Sequence, residues 1–166
     1  MKRVCTLIAA VCLLLCGCGR GGAVRSDRIP EWPFSMTTSV SLQTDSTAFS
    51  ADWTYRNGQS SFILQAPQEL SGVTITCNAV ESRIEKDGVG IDLPEQSAFV
   101  LLDRAYRALS DGLVEPRQTQ EGWLYDGMDR YGFEALAAVD DSLHIRFPKV
   151  NAEAVFTVAA VETQVG

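Results

Sequence analysis

A chain of 166 residues with 21 acidic and 14 basic side chains, net −7, has no clustered Lys and Arg through which to hold nucleic acid or anionic lipid. One histidine, and five cysteines of which four precede residue 19, leave no cluster of soft donors for zinc. Nucleic-acid binding and metal chemistry are set aside on these grounds, and no cofactor is expected.

The chain begins with Lys2 and Arg3 and then an apolar run from Val4 to Leu15. That run is too short for a permanent membrane span, and with its positive start it reads as an export signal. It ends in Leu15-Cys16-Gly17-Cys18, which resembles the lipobox of bacterial lipoproteins. The resemblance implies a signal peptide over 1–17, cleavage before Cys18, and lipid on the Cys18 sulfur. The expected location is therefore a cell membrane, lipid-anchored on its extracytoplasmic side. Cleavage leaves 149 residues, enough for one domain with a real core, and no second cysteine for Cys77 to pair with. Residues 18–33, with glycines first and prolines later, read as the lipidated N-terminus and a flexible tether.

Strict alternation follows, and residues 34–166 read as a single β-rich domain. Phe34, Met36, Val40 and Leu42 fall on one face and Thr37, Ser39 and Ser41 on the other, the pattern of a strand with one wet side. Phe49, Ala51, Trp53 and Tyr55 repeat it. Asn57-Gly58 then turns the chain into Phe62, Leu64 and Ala66, and Pro67 ends that strand. Val73, Ile75 and Cys77 alternate next, which puts Cys77 on the apolar face as a small buried hydrophobe. Val80, Ser82 and Ile84 continue, and Asp87-Gly88 leads into a short strand through Val89 and Ile91.

The period then changes. Phe99, Leu102, Tyr106 and Leu109 recur at three and four residues and predict an amphipathic helix, with Ser97 or Pro94 at its start and Gly112 past its end. Asp103 and Arg107 are expected as an ion pair on the opposite, wet side. The first half of 113–129 reads as loop, with Trp123 and Tyr125 on one short strand. Tyr131, Phe133, Ala135, Ala137 and Val139 resume the alternation, Asp140-Asp141 turns, and Leu143, Ile145 and Phe147 return with His144 and Arg146 outward. Phe156, Val158 and Ala160 close the chain.

No nucleophile elbow, paired-histidine motif, phosphate loop or dinucleotide fingerprint occurs, and an enzyme is not expected. Asp126, Asp129, Asp140 and Asp141 sit where turns are expected and lack the spacing of a calcium loop. The fold class that emerges is mainly β (α+β), a curved antiparallel sheet or half-barrel packed on one main amphipathic helix.

The lipobox, the FSADWTYRNGQSSFILQAP hairpin, the LSGVTITCNAVESRIEKDGVGI segment and the later hairpins together resemble small bacterial lipoproteins of the LolA/LolB and LppX type. The resemblance implies an unclosed antiparallel barrel lined by helices, whose cavity carries acyl chains. On that reading Trp53, Phe62, Phe99, Leu102 and Tyr106 line an apolar ligand site such as a lipid would occupy. Two functions stay open: a tethered carrier of an apolar ligand, or a structural or protein-interaction lipoprotein with a closed core.

Overall fold

The computed structural model describes residues 29–157. The export signal, Cys18 and most of the tether lie outside the described residues, as do Val158 and Ala160. Six strands come first: β1 (Ser35–Gln43), β2 (Ala48–Arg56), β3 (Gln59–Ala66), β4 (Thr74–Cys77), β5 (Ser82–Lys86) and β6 (Val89–Asp92). The helix α1 (Ala98–Ser110) follows, then β7 (Pro116–Gln118), β8 (Gly122–Asp126), the single turn α2 (Met128–Tyr131), β9 (Glu134–Ala138), β10 (Ser142–Phe147) and β11 (Ala152–Thr157).

Local turn chemistry sets the hairpins. Asn57 and Gly58 have φ of 52° and 76°, and Asp87 and Gly88 have 52° and 81°. Both pairs are the left-handed turn whose twist matches that of the strands it joins. Every neighbouring pair of strands is antiparallel, and the order is β6-β5-β4-β3-β2-β1-β11-β10-β9-β8-β7. The sheet is therefore open, with β6 and β7 as its two edges, and α1 is the connection from one edge to the other.

The sheet also has to curl. α1 contacts both β4 and β10, which are five strand spacings apart, about 24 Å in a flat sheet. A helix about 10–12 Å across reaches both only if the sheet wraps around it. Inside that wrap, alternate residues of the strands and the buried face of α1 form one apolar cluster, including Leu42, Trp53, Phe62, Ile75, Leu102, Tyr106, Leu143 and Ile145. Each large side chain enclosed there stabilises the fold by about 1.5–3 kcal/mol relative to exposure. Cys77 is fully buried among them, and burial pushes its thiol up to about 11, so it stays a neutral packing group.

Five expectations from the sequence are corrected. Phe34 and Val139 are 69% and 48% exposed, because each lies just past the end of its strand, where no facing row covers it. Val80 is exposed because the Asn78 side-chain oxygen accepts from the backbone N–H groups of Val80 and Glu81, at 2.8 and 2.9 Å, and folds this stretch into a turn. Tyr131 belongs to α2, which Gly132 ends with φ of 75°, so the strand begins only at Glu134. The segment read as loop contains β7, three residues paired to β8.

Candidate functional site

α1 starts where Ser97 accepts a bond from the Val100 N–H at 3.4 Å. Its buried face carries Phe99, Val100, Leu102, Asp103, Ala105, Tyr106, Ala108 and Leu109. Asp103 thus lies on the buried side, not the wet side expected for it. Spacing explains this, since 103 is four residues after Phe99 and three before Tyr106, on the stripe itself.

A carboxylate without exposure needs partners, and Asp103 has two. The Ser60 hydroxyl, itself buried, donates to it at 2.7 Å, and the Arg107 guanidinium donates from one turn along the helix. Arg107 also donates to the Asn78 carbonyl at 3.2 Å, so the cluster joins α1 to β3 and to the turn after β4. Burial pushes the Asp103 carboxyl above the usual carboxylate range, while Ser60 and Arg107 pull it back down. Sequence reasoning missed this cluster, and the helical spacing of 103 was the signal that could have found it.

The five residues expected to line a ligand site are brought together. Trp53 stacks on Phe62 with centroids 5.2 Å apart and meets Tyr106 edge-on at 5.1 Å; Phe62 meets Phe99 at 5.1 Å, and Leu102 is fully buried beside them. Phe156 adds a further edge at 4.9 Å from Trp53. The Tyr106 hydroxyl donates to the Pro33 carbonyl at 3.0 Å, and burial holds its phenol well above the usual range. The Trp53 indole N–H, in contrast, finds no acceptor among the described residues. Trp32 packs edge-on against Tyr125 of β8 at 5.4 Å. Trp32 and Pro33, at the end of the expected tether, are therefore docked on the domain.

The outer face holds a shallow groove of about 480 Å³ over β8 to β10, lined among others by Thr119, Leu124, Leu136, His144 and Arg146. Beside it, His144 stands 3.1 Å from the Ser142 hydroxyl and 3.5 Å from the Glu153 carboxylate. This order looks like a nucleophile, a base and an orienting acid, but the Ser142 hydroxyl donates to Asp140 at 2.5 Å, and its backbone N–H donates to the same oxygen at 3.1 Å. Those two bonds hold the Asp140 carboxyl below its usual range. Ser142 thus serves the turn, its proton committed away from the imidazole. No group of three or more His, Cys, Asp or Glu side chains suited to a metal ion occurs among the described residues.

No family model matches the sequence, and no curated protein matches it. Among solved structures, the crystal structure of a LolA superfamily protein from Nitrosomonas europaea is similar, with 11% identity over 80% of this chain and 86% of that one and a TM-score of 0.42.

Proposed function

We propose that the domain is a membrane-tethered, non-enzymatic carrier that holds an acyl-type apolar ligand between the inner sheet face and α1. The observation that carries this reading is that α1, the connection between the two unpaired edges of a curled sheet, packs on β4 and β10 and covers an aromatic face. A helix in that position lifts without breaking any backbone bond between strands, and gives up only side-chain bonds such as Ser60 to Asp103 and Arg107 to the Asn78 carbonyl. The unmatched Trp53 N–H adds support: a buried donor left without an acceptor costs about 1–3 kcal/mol, and a ligand ester or carboxyl oxygen would meet it. The tether of this reading is lipid on Cys18, which holds the domain on the extracytoplasmic side of a membrane. Metabolic labelling with a fatty acid tests that part, and label that survives Cys18→Ser contradicts it.

A second reading has its own observation. The candidate lining residues fill the interior by touching one another, as a closed core does, and the outer groove with Leu124 and Leu136 then becomes the surface that meets a protein partner. Ala105, only 1% exposed on the inner side of α1, separates the two. For a carrier, a fluorescent fatty acid binds the chain from Gly19 onward, and Ala105→Trp weakens that binding with little loss of thermal stability, because the helix has room to lift. For a closed core, the fatty acid does not bind and the added ring costs about 1–3 kcal/mol by overpacking.

A further inference from the structure

The inner face of the sheet does not stop where α1 stops. Directly opposed residues place Trp53, Phe62, Ile75, Ile84 and Ile91 in one row across β2 to β6, and opposed residues share a face. Burial falls along that row. Trp53 and Phe62 are fully enclosed, Ile75 nearly so, Ile84 is half-buried, and Ile91 is 64% exposed. Val89, two residues from Ile91 and so on the same face, is 72% exposed.

The other face of β6 is built differently. Gly90 points there and Arg83 lies across it, so that a Cβ on Gly90 would stand 2.4 Å from the Arg83 Nε. Glu85 holds the same guanidinium at 3.2 Å. Lys86, directly opposite Val89 and so on the inner face beside it, turns its ammonium to the Glu69 carbonyl at 3.1 Å. β6 is therefore polar and covered outside, apolar and bare inside, and the bare part runs without interruption into the enclosed aromatic group.

We propose that the Val89 and Ile91 lip of β6 is the portal by which a long acyl chain enters the space between sheet and α1. This rests on the carrier reading above. The occupant is an acyl chain rather than a partner strand, because the apolar row leads inward through Ile84 and Ile75 to Phe62. A strand would instead pair along the backbone edge of β6, which Asp87 and Asp92 flank with charges that discourage strand addition.

The test is stopped-flow association of a fluorescent fatty acid with the chain from Gly19 onward, which keeps every strand, α1 and the whole core. Val89→Ser with Ile91→Ser is neutral, so it leaves the electrostatics of the anionic probe unchanged, and both sites are exposed. The pair is expected to slow association roughly tenfold, the scale of one partly covered aliphatic side chain, with the melting temperature unchanged. Val139→Ser, at an exposed aliphatic residue off this row, is expected to leave the rate alone. Wild-type binding with an unaltered rate in the double variant overturns the portal and spares the carrier. No binding by the wild type overturns both. A wild-type dimer that the double variant dissolves, with the probe rate unchanged, assigns the lip to a second copy of the chain and overturns the portal.

Discussion

Asp103 shows how one residue can be legible by position and misread by type. Its spacing placed it on the apolar stripe, yet its charge argued for solvent, and the partner that reconciles the two, Ser60, lies on β3, 43 residues away. No local pattern announces such a pairing. Its removal should be felt: Asp103→Ala leaves Ser60 without its acceptor and Arg107 with only the Asn78 carbonyl, and is expected to cost about 1.5–3 kcal/mol, below the figure for a fully enclosed pair because Arg107 keeps some solvent. Its titration gives a second readout. Because the folded carboxyl binds its proton more tightly than the unfolded one, this group's contribution to stability falls as pH rises from the ordinary aspartate value through the raised folded value. Compared with Asp103→Asn, the wild type is therefore expected to gain stability as pH falls through that window. Denaturant titrations of both proteins across the acid range check this, and a pH-independent difference between them contradicts it.

At the scale of elements, the hairpins at Asn57-Gly58 and Asp87-Gly88 and the helix after Ser97 were readable because their signals are local: turn residues that accept positive φ, a cap, and a period of three to four. β7 and α2 were not. Three residues of β7 carry no alternation of their own and become a strand only because β8 pairs with them, while α2 is a single turn fixed by its flanks, with Asp126 accepting from the Met128 N–H at 3.2 Å. β8 itself depends on a glycine. Gly122 has φ of 147°, and a Cβ there would stand 2.0 Å from the Ala137 carbonyl oxygen of β9. Gly122→Ala is expected to cost about 1–3 kcal/mol and loosen the β7–β9 corner. Thermal melts give the cost, and amide exchange shows whether protection is lost first in β8; an unchanged melt contradicts the prediction.

For the whole molecule, alternation and one amphipathic stripe sufficed for a mainly antiparallel sheet with one main helix, since a sheet with one apolar face and a helix with one apolar stripe cover each other. The sequence did not reveal how far the strands wrap or which ones stand at the edges, because register between distant strands is decided by packing that no window of sequence contains. The most consequential of these pairings is β1 with β11. The Thr38 hydroxyl donates to the Thr157 carbonyl at 2.8 Å across 119 residues of chain, in the middle of the sheet rather than at its rim. During folding, the β1–β6 meander and the β7–β11 meander each assemble from neighbours in sequence, but the seam that joins them closes the longest loop in the domain and bears its entropy cost last. Until β11 arrives, β1 offers a long bare edge to any passing strand, so the interval between the first strand and the last is when this chain is most exposed to aggregation.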